Sequence, residues 1–312
     1  KIFEKNFTTS VSYYPNLYDC YNSIAKLNKV PINNILIGAG SDGIIRSVFE
    51  TFVQKGDLVL KTFPTFQMYN IYSKIYQAKT ININYKNKNN HIFFDFEKFI
   101  KIIKNKKVKL ICLPNPDSPT GTIISNNKIE IILKEAEKKN TLVLIDEAYF
   151  PFYNKSVIKF LTKYRNLIIS RTFAKAWGLA GLRIGYGIAN HEVIKYMNKV
   201  KSMYEVNTFA AHTIPHIIAK NKEVLNSVKN QNNSKYFFLE KMEKMGFDTL
   251  KSYGNFCHVK FGKKSKKIHK ILKKYVLYKE NFSENCLNGY SRFSLTSKND
   301  FKKIINIISR VK

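Results

Sequence analysis

Residues 168–186 read I-I-S-R-T-F-A-K-A-W-G-L-A-G-L-R-I-G-Y. The stretch opens as an apolar strand and continues with a lysine among small and apolar residues, a glycine-rich turn and an arginine. In open parallel sheets, ligands bind beyond the carboxyl ends of the strands. A desolvated lysine in such a place has a lowered pKa and can attack a carbonyl carbon. The stretch therefore predicts an α/β fold with Lys175 as a candidate nucleophile at one edge of a sheet.

Short apolar runs alternate with amphipathic stretches from about residue 30 to residue 205. The runs lie at 35–37, 58–60, 110–113, 142–145 and 167–170. Runs that are apolar on both faces and separated by helices indicate a mostly parallel central sheet with helices on both sides. Beyond residue 205 the pattern changes to long helices around two alternating strands, which indicates a smaller α+β domain.

Three more of these runs end on residues suited to binding. They continue as I-L-I-G-A-G-S-D-G (35–43), N-P-D-S-P-T-G (115–121) and L-V-L-I-D-E-A-Y (142–149). A glycine-rich turn into a helix offers free backbone N–H groups to a phosphate. The proline-rich turn has a purely structural reading as well as a binding one. A carboxylate at the tip of an apolar strand is costly without a positive partner, so Asp146 either forms an ion pair or holds a cationic ligand.

Together, these strand ends meet the chemical needs of one cofactor, pyridoxal phosphate (PLP). Its aldehyde needs a lysine, its ring nitrogen a carboxylate, its phenolate oxygen a hydrogen-bond donor, and its phosphate cations or N–H groups. Lys175, Asp146, Tyr149, Arg183 and the turn at residues 40–42 supply these parts. Lys175, once displaced by an amino substrate, is placed to move a proton as general base and acid.

The order of these motifs along nearly the whole chain resembles that of the class I/II fold-type I aminotransferases. Within them, the chain is similar to the histidinol-phosphate aminotransferase family. The resemblance also includes P-T-F-Q-M-Y (64–69), N-F-C-H-V-K-F (255–261) and S-R-F-S-L-T (291–296). Several motifs in register are more specific than any one of them.

The resemblance implies the fold of the PLP-dependent transferases of type I. A large PLP-binding domain with a mostly parallel sheet would span residues 31–205, and a small α+β domain would span 206–312. Residues 1–30 would pack against the small domain and against the partner subunit of a homodimer that shares its active sites.

The resemblance also implies a role for each matching residue. Lys175 would join the cofactor aldehyde covalently, Asp146 would pair with the ring nitrogen, and Tyr149 would donate to the phenolate oxygen. The remaining cofactor contacts would come from Thr172 and Arg183 at the phosphate, the backbone N–H groups of Ala39, Gly40 and Ser41, Phe66 on the ring, Asn115 and Ser118 near the phenolate oxygen, and Tyr14 reaching into the partner subunit. Arg292 would bind the substrate α-carboxylate in a bidentate pair, and Lys279 would bind a substrate phosphate.

Three features depart from the family pattern. Ser118 replaces an asparagine, and its shorter side chain needs a bridging water or leaves the contact to Asn115. Ala174 replaces a serine before the lysine, which removes one phosphate contact. The N-E-N-P segment that closes over the substrate is absent from this sequence.

The sequence therefore predicts a PLP-dependent aminotransferase that moves an amino group from an amino acid, with glutamate expected, to a keto acid or phospho-keto substrate. The family substrate pair is histidinol phosphate and imidazole acetol phosphate. Two alternatives share the motifs: a PLP-dependent decarboxylase of the threonine-phosphate type, and a catalytically silent protein of the PLP fold.

The net charge of +31, from 53 basic and 22 acidic residues, could indicate a nucleic-acid partner. The basic residues are 47 lysines and 6 arginines, however, and the lysines are spread along the chain together with many asparagines. This composition is typical of an AT-rich coding sequence, whereas nucleic-acid readers rely on arginine. We therefore expect no nucleic-acid partner.

Membrane and metal signals are missing from the sequence. No apolar run reaches the ~18 residues that a membrane-spanning helix needs, so we expect no membrane partner. The cysteines and histidines show no metal-binding spacing, and we expect no metal. Scattered unpaired cysteines favour a reducing compartment, and we expect a cytoplasmic protein.

Overall fold

The structure, a computed structural model, describes residues 12–311. Its strands are β1 Ile35–Gly38, β2 Leu58–Phe63, β3 Lys79–Lys88, β4 His91–Phe94, β5 Val108–Pro114, β6 Leu142–Asp146, β7 Leu167–Thr172, β8 Gly185–Ala189, β9 Asp248–Leu250, β10 Phe256–Lys260 and β11 Tyr290–Ser294. Its α-helices are α1 Tyr18–Asn28, α2 Gly40–Phe52, α3 Met68–Ile75, α4 Phe96–Asn105, α5 Asn126–Glu137, α6 His191–Val200, α7 Thr208–Ala219, α8 Asn221–Lys244, α9 Ser265–Leu272 and α10 Lys298–Ser309.

The first eight strands form one mixed sheet in the order β1-β8-β7-β6-β5-β2-β3-β4. The run β7-β6-β5-β2-β3 is parallel, as the doubly apolar strands predict, and β8 is antiparallel to both of its neighbours. Two apolar cores cover the faces of this sheet. The expected α/β fold with a mostly parallel central sheet is therefore confirmed.

The last three strands form a separate antiparallel sheet in the order β11-β10-β9. Helices α8, α9 and α10 pack against it around a core of their own, which includes Phe238, Phe293 and Phe301. The rings of Phe238 and Phe301 stack with centroids 4.4 Å apart. This α+β unit carries Arg292 on β11.

The packing of α1 differs from the expectation that the N-terminal segment packs on the small domain. Cys20 and Ile24 of α1 lie in the large-sheet core together with Ala210 and Ile214 of α7. The apolar face of α7 thus covers the large sheet and not the three-stranded sheet, although α7 lies beyond residue 205. An amphipathic pattern shows that a helix has a buried face but does not show which core receives it. Packing of residues 1–30 against a partner subunit stays a prediction, and residues 1–11 lie outside the described part of the chain.

Candidate active site

The carboxyl ends of β5, β6 and β7 lie side by side at one edge of the large sheet. The register pairs Pro114 with Asp146 and Asp146 with Ser170. A cleft of about 400 Å³ opens above these strand ends. Its walls are formed by Ser41, Asp42, Phe66, Pro114, Pro116, Ser118, Asp146, Ala148, Tyr149, Thr172, Ala174, Lys175, Arg183 and Arg292. Nine residues named from the sequence thus meet in one cleft: Ser41, Phe66, Ser118, Asp146, Tyr149, Thr172, Lys175, Arg183 and Arg292.

Asp146 forms the floor of this cleft and is almost fully buried. The Ser170 hydroxyl and the Ala148 N–H donate to its Oδ1 at 3.0 and 3.1 Å, and the Tyr69 hydroxyl donates to its Oδ2 at 3.1 Å. Burial raises the pKa of Asp146 to about 6, although these hydrogen bonds oppose the shift. Among residues 12–311, no cation forms an ion pair with it. This carboxylate is therefore suited to a cationic ligand atom.

Lys175 and Tyr149 face each other across the cleft. The Lys175 Nζ atom lies 5.7 Å from the centre of the Tyr149 ring. Desolvation by the surrounding walls, and then the charge of Arg292, lower the pKa of Lys175 below its ordinary value, which favours the free amine. Burial raises the pKa of Tyr149, while Ser118 and Arg292 oppose the shift. Tyr149 is therefore held as a phenol that can donate a hydrogen bond.

The turn into α2 and the residues around it form the anion-binding end of the cleft. Gly40 has a positive φ of 77°, and a Cβ there would lie 3.0 Å from Nη2 of Arg183. The turn also packs closely on β8, because a Cβ at Gly185 would lie 2.5 Å from the Ser41 nitrogen. Arg183 and the start of α2 thus bring a guanidinium together with free backbone N–H groups, a combination that suits a phosphate. The Thr172 hydroxyl, which accepts the Ala174 N–H at 3.1 Å, lines the same cleft.

Arg292 reaches the cleft from the small sheet. Its guanidinium carbon lies 5.2 Å from the centre of the Phe256 ring and 5.8 Å from that of Phe282. In the described part of the chain, the guanidinium forms no ion pair with a carboxylate. Its N–H groups are thus free for a carboxylate that enters the cleft.

Five other residues named from the sequence do not line this cleft, and the last of them, Lys279, is described separately below. Ala39 and Gly40 lie in the turn next to it. Asn115 is committed elsewhere, because its Nδ2 donates to the Ile124 carbonyl at 3.1 Å and its Oδ1 accepts the Ile124 N–H at 2.9 Å. These bonds hold the proline-rich turn, so we correct the expected contact of Asn115 with the phenolate oxygen to a role in shaping the turn. Tyr14 is largely exposed, with its ring stacked on Tyr204 at 3.8 Å.

Lys279 lies beside Arg292 rather than in the wall of the cleft. The two residues exchange backbone hydrogen bonds of 3.2 and 2.8 Å, which places their side chains next to each other on one face of the sheet. The Lys279 Nζ lies 5.7 Å from the centre of the Phe282 ring. An exposed ammonium therefore lies at the outer edge of the site.

Sequence reasoning missed the residues that support the cleft from behind. Tyr69, which is fully buried, and Ser170 hold the Asp146 carboxylate. Next to Asp146, Glu147 forms a buried ion pair with Arg171 at 2.7 Å. Tyr69 lay within the quoted P-T-F-Q-M-Y motif, but no local pattern joins it to a carboxylate 77 residues away.

Comparison with known proteins shows the family to which this chain belongs. The family model "Aminotransferase class I and II" matches residues 8–308. The histidinol-phosphate aminotransferase of Caldanaerobacter subterraneus subsp. tengcongensis is 35% identical over 291 residues, which cover 92% of this chain and 80% of that protein.

Two solved structures share the fold over almost the entire chain. The histidinol-phosphate aminotransferase of Clostridium acetobutylicum has a TM-score of 0.86 at 22% identity, covering 98% of this chain and 93% of the other. The enzyme of that name from Sinorhizobium meliloti, in complex with pyridoxal-5'-phosphate, has a TM-score of 0.85 at 19% identity, covering 100% and 86%. On the family match and the sequence relative, this chain belongs to the class I and II aminotransferases, and it is a PLP-dependent aminotransferase.

Proposed function

We propose that this enzyme transfers an amino group between glutamate and imidazole acetol phosphate, with histidinol phosphate as the product. The observation that carries the proposal is that Lys175, Asp146 and Arg292 meet in one cleft, where Arg292 has no ion-pair partner among the described residues. Such a cleft offers a nucleophile, a carboxylate for a ring cation and an anchor for an amino acid. The relative that is 35% identical carries the name of this activity.

The residues present fit the cofactor. Asp146, which is buried and has no ion-pair partner in the part of the chain that the structure describes, would hold the protonated ring nitrogen. Tyr149 and Ser118 would lie at the phenolate oxygen. Arg183, Thr172, Ser41 and the turn at Ala39 and Gly40 would hold the phosphate, and Phe66 would cover one ring face. When bound, PLP supplies an electron sink for the carbanion formed at the substrate Cα.

Lys175 has two tasks in this proposal. It would hold the cofactor aldehyde until an amino substrate replaces it, and its lowered pKa favours the neutral amine needed for this bond. Freed from the cofactor, its Nζ would take the proton from the substrate Cα and give it to the carbon that carried the cofactor aldehyde, as amino transfer requires. Tyr149, whose ring centre lies 5.7 Å from Nζ of Lys175, would keep the freed amine within the cleft.

Arg292 and Lys279 would divide the anionic groups of the substrate. Arg292 would take the α-carboxylate through two parallel hydrogen bonds, the geometry that arginine supplies and lysine does not. Lys279, which is exposed and adjacent to it, would attract a phosphate or a second carboxylate as a point charge.

We also propose that the enzyme works as a homodimer with shared active sites, in the cytoplasm. Tyr13, Tyr14 and Met203 are 71%, 74% and 76% exposed, an unusual exposure for large apolar side chains. A partner subunit would cover them and receive the Tyr14 hydroxyl at its phosphate site. The four cysteines are free and buried, as suits a reducing compartment. No helix in the described range 12–311 is long and apolar enough to cross a membrane.

A half-reaction screen tests the proposed activity. PLP-loaded protein is mixed with glutamate, histidinol phosphate, threonine phosphate or aspartate, and the cofactor absorbance and the keto product are followed. We expect glutamate and histidinol phosphate to convert the cofactor stoichiometrically without CO₂ release, and Lys175→Ala to abolish the change. Release of CO₂ from threonine phosphate would replace the proposal with the decarboxylase. Cofactor binding with no conversion by any amino acid would support the silent protein.

The dimer is tested separately by light scattering and by Tyr14→Phe. We expect a mass of two chains and a cofactor affinity several-fold weaker in Y14F. A monomeric holoenzyme with full cofactor affinity would contradict shared sites.

A further inference from the structure

A histidine lies directly behind the substrate-facing arginine. His258 is the cross-strand partner of Arg292 in the pairing of β10 with β11. Residues directly opposite each other in an antiparallel pair present their side chains on the same face of the sheet. Since Lys279 pairs with Arg292 from the other side, the three side chains form a row across one face.

His258 is wholly buried and carries no charge. Its exposed fraction is 0%, and neither ring nitrogen makes a hydrogen bond of regular geometry within the described residues. Burial, followed by the charge of Arg292, lowers the pKa of His258 to about 3, although the Pro119 backbone opposes the shift. A neutral imidazole in this place does not repel the guanidinium and does not compete for its N–H groups.

The ring of His258 touches both aromatic rings that carry Arg292. Its centroid lies 5.3 Å from that of Phe256, in an edge-to-face contact, and 5.9 Å from that of Phe282. Phe256 also meets the Tyr149 ring edge-to-face at 5.4 Å. Phe256 and Phe282 therefore flank the guanidinium, His258 contacts both of these rings, and Phe256 links the group to Tyr149 in the cleft. Because this support is aromatic, it orients Arg292 without consuming its hydrogen-bond donors.

We propose that His258 is a positioning residue for Arg292: its uncharged ring fixes Phe256 and Phe282 so that the guanidinium presents its free N–H edge to the substrate α-carboxylate. The inference rests on the proposed role of Arg292. It predicts that loss of the ring weakens carboxylate binding before it affects proton transfer at Lys175. The effect thus falls on KM for the amino donor, with kcat largely retained.

The experiment compares three single variants of the PLP-loaded enzyme. His258→Leu removes the ring, His258→Phe keeps a ring without nitrogens, and Val259→Ala is the matched control. Val259 is the next residue of β10 and is equally buried, but it lies in the core on the opposite face of the small sheet. If H258L folds poorly, His258→Gln, which also removes the ring, is used in place of H258L.

Two readouts separate positioning from a merely structural role. Calorimetric titration with glutarate, which has no amino group to react, measures carboxylate binding without turnover. The ratio of kcat/KM for L-glutamate to that for its α-amide measures recognition of the α-carboxylate itself. We expect H258L to raise the glutarate Kd and to lower this ratio about tenfold, H258F to stay within about threefold of the parent, and V259A within about twofold.

Three results would overturn the inference: an H258L variant equal to the parent, a V259A variant as weak as H258L, or an H258F variant as weak as H258L. Arg292→Gln tells this failure apart from failure of the proposed function. If R292Q binds glutarate as the parent does, Arg292 is not the carboxylate anchor and the proposed function loses its basis. If R292Q loses glutarate binding while H258L retains it, only the role of His258 fails.

Discussion

Two consecutive carboxylates, Asp146 and Glu147, are buried to almost the same extent but differ in the charge of their partners. Glu147 is 2% exposed and forms an ion pair with Arg171, and it also accepts the Ser156 hydroxyl and the Val157 N–H, each at 2.8 Å. Asp146 is 4% exposed, and within residues 12–311 its hydrogen-bond donors are all neutral hydroxyl and N–H groups.

The contrast shows how a fold separates structural charge from functional charge. At Glu147 the positive partner belongs to the chain, so the charge is compensated as soon as the protein folds. At Asp146 the neutral donors hold the carboxylate in place but leave its charge uncompensated, and burial of that charge raises its pKa. A cationic ligand atom would neutralise the charge of Asp146, as Arg171 neutralises that of Glu147.

The largest expected effect is on stability and comes from breaking the buried ion pair between Arg171 and Glu147. Arg171→Met strands a buried carboxylate and also removes the 2.6 Å bond from Nη1 of Arg171 to Oδ1 of Asn28, which ties α1 to the sheet. We expect the free energy of unfolding to fall by about 3–5 kcal/mol, measured by urea denaturation. The double variant R171M/E147Q removes the stranded charge and should recover roughly half of the loss. If the free energy of unfolding of R171M falls by less than about 1 kcal/mol, Arg171 does not compensate the buried charge of Glu147.

The second test removes the uncompensated charge of Asp146. Asp146→Asn keeps the shape and at least one acceptor but cannot pair with a cationic ring nitrogen. We expect kcat/KM to fall by about 10²- to 10³-fold, equivalent to ~3–4 kcal/mol, because a buried charged hydrogen bond is lost. Glu147→Gln, one residue away, should lower activity only as far as it lowers stability. Activity of D146N within tenfold of the parent would contradict the assignment of Asp146.

These two carboxylates also show how much the sequence could predict. Asp146, Lys175 and Arg183 could be selected because parallel strands bring their carboxyl ends to one edge, so residues far apart in the chain share a site. The partners of the two carboxylates could not be selected, since Tyr69 and Arg171 meet Asp146 and Glu147 only through packing between elements. Asn115 shows the same limit: its residue type fits cofactor binding, but its position opposite the Ile124 backbone assigns it to the turn.

A third test uses pH on the apo protein. The folded pKa of Asp146, about 6, lies above its ordinary value of 3.8, so the native state binds more protons between these values. Stability attributable to this group therefore falls as pH rises through that window, and the cost is fully present above pH 6. D146N lacks this cost, so it should be more stable than the parent by up to about 3 kcal/mol at pH 8, with a smaller difference at pH 5. Urea denaturation of both apo proteins across pH 5–8 measures this difference in the free energy of unfolding. A difference that grows toward pH 5 would have the opposite sign of pH dependence and would contradict a raised pKa at Asp146.

The smallest effect expected is that of one neutral donor. Tyr69→Phe removes the hydroxyl that donates to Oδ2 of Asp146 without creating a cavity, so the ionised carboxylate loses about 1 kcal/mol of support. The pKa of Asp146 should rise further, and cofactor affinity at pH 7.5 should weaken several-fold, as measured by fluorescence titration. Tyr76→Phe is the matched control, because it removes a hydroxyl from the residue directly after α3, and that hydroxyl interacts with Arg46 instead. If Y69F and Y76F bind the cofactor equally well, the hydroxyl does not stabilise the charged form of Asp146. The neutral donors would then set only the position of the carboxylate, and its charge would be stabilised by the ligand alone.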